Sequence, residues 1–192
     1  MKTLFSFVVI ALLLLTFADI SAGQYRADDE FHAGHQKYDD PARTSPNRES
    51  EIEFGSGHAM VEWSAPSVRD RDLYGNLVPT KEVWRTGANE ATVIHFDDDV
   101  LIEGEELAAG SYALFTIGGS DEWTFIFDRT IKQWGAFSYN PETDALRVTV
   151  ASGEGEHAEE LSLTFADAEN GTTKLRLRWG TIDTGVGIAL AN

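Results

Sequence analysis

The chain has no cysteine. That excludes thiol nucleophiles, thiolate metal sites, disulfides and a lipid attached through an N-terminal cysteine. Basic residues are scarce: 15 Lys and Arg stand against 32 Asp and Glu, a formal net charge of -17 over 192 residues. Such a balance lacks the basic footprint that phosphate backbones require, so nucleic acid is not an expected partner. The same sign disfavours docking on anionic lipid. Proline is rare, with five residues, and helical periodicity is almost missing. After the first apolar stretch no second long apolar run exists, so no membrane span is expected in the mature protein.

What is present begins with an address. Lys2 is followed by a nearly unbroken apolar run over residues 4–17, then by small Ser21, Ala22 and Gly23. That order predicts a cleavable signal peptide over 1–23 and an exported protein, periplasmic or secreted. The run is short for a span, which needs about 20 residues. Residues 24–50 are polar, carry two prolines and show no periodicity, and read as a flexible leader. The remainder, 51–192, reads as one domain. Hydrophobic residues at 42% and aromatics at 11% are ordinary for a globular protein.

Within that domain period-two alternation dominates. Ala59, Val61 and Trp63 share one face, as do Thr92, Ile94 and Phe96, and Trp123, Phe125 and Phe127. Further sets are Leu146, Val148 and Val150; Leu161, Leu163 and Phe165; Leu175, Leu177 and Trp179; and Val186, Ile188 and Leu190. Turn chemistry separates them, notably Gly104, the run from Gly118 to Asp121, Asn140-Pro141 and Asn170-Gly171. The pattern predicts an all-β fold, a single antiparallel β-sandwich of about nine strands. Only 79–85 has the composition for a helical turn. Trp63, Trp123 and Trp179 fall at inward positions and are assigned to the core.

The alternation fails between 64 and 92, a connection longer than scaffolds usually need. It holds Arg69, Arg71 and Arg85, with Trp84 beside Arg85, and Asn89-Glu90 after a Gly87 able to adopt positive φ. Arginine forks, an amide and a carboxylate near an aromatic can orient a polar ligand. The same groups can instead brace a long loop. Candidate ligand-binding residues are Arg71, Tyr74, Trp84, Arg85, Asn89, Glu90 and Trp134. Trp134 is open between a core position and a stacking platform.

Other chemistries are thinner. A carboxylate hydrolase needs two carboxyl groups; Glu90 is one candidate, with Asp121, Glu122 or Asp128 as its partner. His32 and His35 have metal-ligand spacing, but the leader shows no helix to align them. His58 and His95 sit on predicted strands and suit structural hydrogen bonds. The acidic run at 97–99 reads as a solvated turn. Gly55-Ser56-Gly57-His58 has no nucleophile elbow. No metal or cofactor is expected.

The stretch SAPSVRDRDLYGNLVPTKEVWRTGANEAT, with LAAGSYALFTI, DEWTFIF and QWGAFSYNP, resembles a bacterial domain-of-unknown-function family, number 2911. The resemblance runs from Ser45 to the C-terminus. It rests on Arg71, Tyr74, Gly75, Trp84, Arg85, Gly87, Ala88, Asn89, Glu90 and Gln133-Trp134-Gly135. It departs at Ala65, where many relatives carry arginine. It implies an exported, β-rich bacterial protein with no agreed activity. An asparagine synthetase-like label used for some members finds no support here, since the glutaminase cysteine and an ATP-binding loop are both missing. Three functions are consistent with the sequence: a non-catalytic binding module for a small polar ligand or an envelope or glycan component, a hydrolase using Glu90, and a structural protein braced by this motif.

Overall fold

The alternating sets become strands whose inward faces meet between two antiparallel sheets. The computed structural model describes residues 42–191; the segment expected to be a signal peptide, most of the stretch read as a leader, with His32 and His35, and Asn192 lie outside them. The strands are β1 (Asn47–Phe54), β2 (Gly57–Ser64), β3 (Thr92–Phe96), β4 (Val100–Ile102), β5 (Glu105–Leu107), β6 (Gly110–Ile117), β7 (Glu122–Asp128), β8 (Asp144–Ala151), β9 (Glu154–Glu169) and β10 (Thr172–Leu190). One sheet has the order β1-β2-β3-β6-β7-β8, the other β5-β4-β10-β9. This is the expected sandwich, with ten strands.

The core is built from the residues that the alternation selects. Ala59, Val61, Ile94, Phe96, Trp123, Phe125 and Phe127 from the first sheet meet Leu161, Leu163, Leu175, Leu177, Trp179, Val186 and Ile188 from the second. All of these are buried. Phe165, assigned to the same face, is only partly covered. Tight turns close the hairpins where two consecutive residues take positive φ: Glu103-Gly104 between β4 and β5, and Asn170-Gly171 between β9 and β10. Positive φ at both central positions matches the twist of the flanking strands.

Two features differ from the sequence expectation. The segment 79–85 forms no helical turn; Thr80 and Trp84 instead make isolated bridges to Gly118 and Thr116. β6 offers unpaired backbone there, because β3 stops at Thr92, opposite Leu114. The domain also starts earlier than the composition shift suggests, since β1 begins at Asn47. Among the described residues β2 is its one ladder neighbour, and as an edge strand it exposes Arg48, Glu49 and Glu51, which conceals its periodicity.

β10 contains both of the last two alternating sets. It doubles back: Leu190 N–H donates to the Gly171 carbonyl, the Arg176 guanidinium bonds Asp183, and a Cβ on Gly185 would lie 2.1 Å from the Leu175 oxygen. A straight strand would separate Leu175 and Gly185 by ~33 Å. The reversal lies near Gly180, at φ +55°, where a side chain would strike Leu73.

The central strands of the larger sheet are covered on both sides. Ala91, Ala113, Phe115 and Ile126 form a second, smaller cluster against Val83, Ile117, Ala136 and Tyr139. Segments of the 65–91 and 129–143 connections therefore make a third layer over the outer face of that sheet.

Candidate functional site

The 65–91 connection is fixed by its aromatic residue. Trp84 N–H and C=O both bond Thr116, each at 2.8 Å, continuing the β6 ladder beyond the end of β3. Directly opposed residues point to one side, so Trp84 enters the core with Thr116. Its ring stacks on Trp179 at 5.8 Å and 9°, and meets Trp123 edge-on at 6.3 Å. At 3% exposure Trp84 presents no face to a ligand. The ligand wall expected at this position is instead the bolt that holds the loop between the two sheets.

Alternation then directs Arg85 to the outer face. The next residue, Thr86, has φ +56°. That is an outlier for a β-branched side chain and costs about 1–3 kcal/mol. It is held by hydrogen bonds from its Oγ1 to Thr116 Oγ1 and the Trp84 carbonyl, while its own carbonyl accepts from Thr92 Oγ1. Gly87 does not take the positive φ that the sequence suggested; Thr86 and Asn89 do. Gly87 is required for a different reason: a Cβ there would lie 3.0 Å from the Ser64 carbonyl.

Past Gly87 the chain meets the second connection. Ala91 N–H donates to the Gln133 carbonyl and Gly135 N–H to the Asn89 carbonyl, pairing Glu90 with Trp134. The Gln133 side chain is buried and donates to Asp128 and the Thr130 carbonyl. Asp128, fully buried, also accepts from Thr130 N–H and Thr143 Oγ1. This carboxylate organises the 129–143 segment, so the hydrolase role considered for it is replaced by a structural one.

Arg85, Asn89, Glu90 and Trp134 are thus brought together. The sequence reading missed Arg43, which completes them. Its Nη1 and Nη2 donate to the two Glu90 carboxylate oxygens, both at 2.9 Å. Both partners are largely buried. Arg43 lies in the stretch assigned to the leader; the one available signal was its position two residues before the resemblance begins at Ser45. Asn89 Nδ2 reaches the Ser45 carbonyl at 3.4 Å. Arg71 and Tyr74 are not part of the group. Arg71 donates to the Val68 and Ser67 carbonyls of its own loop, and the Tyr74 hydroxyl faces the Gly119 carbonyl at 3.5 Å.

The electrostatics separate the two central charges. Glu90 is closed by a bidentate fork, which satisfies both of its oxygens and leaves it poorly placed to move a proton. Arg85 is the reverse case. Burial lowers its pKa from the ordinary arginine value, and the nearby Glu90 charge raises it in part. Its Nε is buried without a hydrogen-bond partner. Trp134, bridged to Glu90, is 56% exposed, and Phe137 is 89% exposed.

Elsewhere, His95 lies between strands, with Nδ1 2.9 Å from Ser111 Oγ and Nε2 2.9 Å from Asp97 Oδ1. His95 and Ser111 are direct partners in the β3–β6 ladder, and this line ties the strands as the structural reading of that histidine expects. Among the described residues no group of three or more His, Asp or Glu side chains is arranged to hold a metal ion. Also among them, no helix is long and apolar enough to cross a membrane.

No curated protein and no solved structure is found to match. One family pattern does match, over residues 45–188, or 144 of 192, and it includes every residue of the Arg85 group except Arg43. By that match, spanning both connections and both sheets, the chain belongs to the family described as protein of unknown function (DUF2911).

Proposed function

We propose that this is an exported, non-catalytic binding module for a small polar ligand or an envelope or glycan component, with its site where 85–90 meets 133–135. The N-terminal run over 1–23 supports export. The observation that carries the binding reading is Arg85. Internal bracing accounts for Arg43, Asn89 and Glu90, each of which has a protein partner. It does not account for a partly buried guanidinium whose Nε has none. Arg178 Nε is likewise buried without a partner, but the Arg178 guanidinium still donates through Nη2, whereas that of Arg85 donates to no protein oxygen among the described residues. A hydrolase centred on Glu90 is the weaker reading, because that carboxylate is engaged by Arg43 on both oxygens.

The test is a thermal-shift screen of the purified protein against neutral and acidic sugars, amino acids and nucleotides, repeated on Arg85→Met. A ligand present at a hundredfold excess over its Kd adds about 2.7 kcal/mol of stability. A shift seen in the natural protein and lost in Arg85→Met supports the reading. A ligand that stabilises both proteins equally places binding elsewhere and sinks it.

A further inference from the structure

We infer that β8 is an interaction edge, and that it pairs with the β8 of a second copy of this chain, antiparallel about a two-fold axis. Two open sheets leave four edge strands, β1, β8, β5 and β9. Each is a template for further pairing unless it is blunted. Three are blunted. β1 exposes Arg48, Glu49, Glu51 and Glu53. β5 has three residues, two of them exposed glutamates. β9 exposes Glu154, Glu156 and Glu159, and a preceding loop binds along it: Val68 N–H donates to the Glu159 carbonyl and Leu161 N–H to that of Pro66.

β8 has none of these devices. It is eight residues long, and among the described residues it pairs with β7 alone. From Ala145 to Ala151 its one charged side chain is Arg147, which is drawn back to Asp144 and the Tyr139 hydroxyl. Val148, Thr149 and Val150 are β-branched, as strands favour. Ser152 N–H donates to the Asp121 carbonyl at the end of the β7–β8 ladder. Successive residues of an antiparallel strand bond alternately to one side and the other. Ala145, Arg147, Thr149 and Ala151 therefore direct their N–H and C=O groups away from β7. The Ala151 carbonyl accordingly accepts from Thr184 Oγ1. The backbone groups of Ala145, Arg147 and Thr149 on that side have no partner among the described residues.

Self-pairing fits this edge in one register. A two-fold axis normal to the sheet keeps inner face with inner face, so odd residues oppose odd and even oppose even. An axis through Val148 sets Leu146 against Val150 on the inner side, both already packed against the core. On the outer side it sets Arg147 against Thr149 and Ala145 against Ala151. Apolar residues meet, the two arginines stay apart, and the open N–H and C=O groups pair with one another. An axis through Arg147 would oppose like charges. Because each copy spends its one unblunted edge, assembly closes at two. The two six-stranded sheets become one, with the outer layers of both copies on the same side. A binding face in that layer is then presented twice to an extended ligand.

The experiment is sedimentation velocity of the purified protein from micromolar to millimolar concentration at physiological ionic strength, with Thr149→Lys and Thr149→Glu alongside. Residue 149 faces Arg147 of the second copy twice in each dimer. Thr149→Lys is expected to raise the dissociation constant about tenfold, and Thr149→Glu to lower it by a similar factor. Both variants lose the same hydroxyl contact with Thr124, so their contrast reports charge. Net charge by itself works the other way, since Lys relieves the repulsion between two molecules at -17 and Glu adds to it. Amide exchange at Arg147 and Thr149 should slow as the protein is concentrated, while Val148, bonded to β7, stays slow throughout. A monomer at every concentration overturns the inference. So does a dimer that Thr149→Lys leaves intact or tightens, which would place the contact on another surface.

Discussion

Arg85 and Glu90 sit five residues apart on one loop, yet their substitution should have opposite consequences. Glu90→Gln removes one charge from a bidentate, largely buried pair and leaves Arg43 partly unsatisfied. It is expected to cost about 1–3 kcal/mol, seen as a lower midpoint in urea with an unchanged slope. Arg85→Met keeps the apolar stem and removes a desolvated donor that has no acceptor. Stability should stay level or rise by up to about 1 kcal/mol. A large loss in Arg85→Met would mean that the guanidinium is part of the bracing after all.

Tyr139 supplies a second expectation at this scale. Its ring meets Phe115 at 5.0 Å in the outer cluster, and its hydroxyl donates to both Asp144 oxygens. Burial first, then the Asp144 bond and charge, push its pKa up to about 12, against the pull of Arg147. The folded state holds the phenol proton more tightly than the unfolded chain, whose tyrosines titrate near 10. The stability from this link is therefore complete below about pH 10 and lost as pH rises towards 12. Ultraviolet titration should show late phenolate formation, to which Tyr112, also raised by burial, contributes, and Tyr139→Phe should remove the Tyr139 share of it.

At the scale of elements, two devices hold the site in place. The first is Trp84 between Trp179 and Trp123, one from each sheet. Trp84→Ala should cost about 3–5 kcal/mol, as large core deletions do. It should also release the loop, so hydrogen exchange at the Trp84 and Thr116 amides should accelerate ahead of that in β6 and β7. The second is the reversal in β10. Gly180 stands at φ +55° with Leu73 2.6 Å from its virtual Cβ, so Gly180→Ala carries both backbone strain and a clash. A loss of about 1–3 kcal/mol is expected by chemical denaturation.

Asp183 belongs to the same reversal. Arg176 in the facing arm holds its pKa below the usual carboxylate value, against burial. The folded form thus binds the Asp183 proton less tightly than the unfolded chain. Its contribution is present above about pH 4 and disappears as the pH falls below that.

For the whole molecule, net charge is the governing quantity. At -17 the compact state is stressed by its own repulsion, and screening relieves it. Raising sodium chloride from low to physiological strength should raise the melting temperature, an effect that an ordinary neutral domain does not show. A flat or falling midpoint with salt would mean that local pairs such as Arg43–Glu90 and Arg176–Asp183 outweigh the global field. The same field acts on ligands and favours small, singly charged or neutral ones over polyanions.

The sequence by itself determined the sandwich, because period-two alternation is a local property and each apolar set reports its own inward face. Trp63, Trp123 and Trp179 were legible as core for that reason, and so were both arms of the last hairpin. It also marked the 64–92 connection as unlike scaffold, and four of the seven residues singled out there and at 134 do converge. What it did not disclose were the facts that depend on distant segments meeting. Trp84 carries no periodicity to reveal that it enters the core, since its partners Thr116, Trp123 and Trp179 lie 32 to 95 residues further along the chain. Arg43 looked like leader because its partner Glu90 is 47 residues away. The isolation of Arg85 is a still more global property. A guanidinium without an acceptor is recognised only once every carboxylate has been placed, and only the tertiary structure places them.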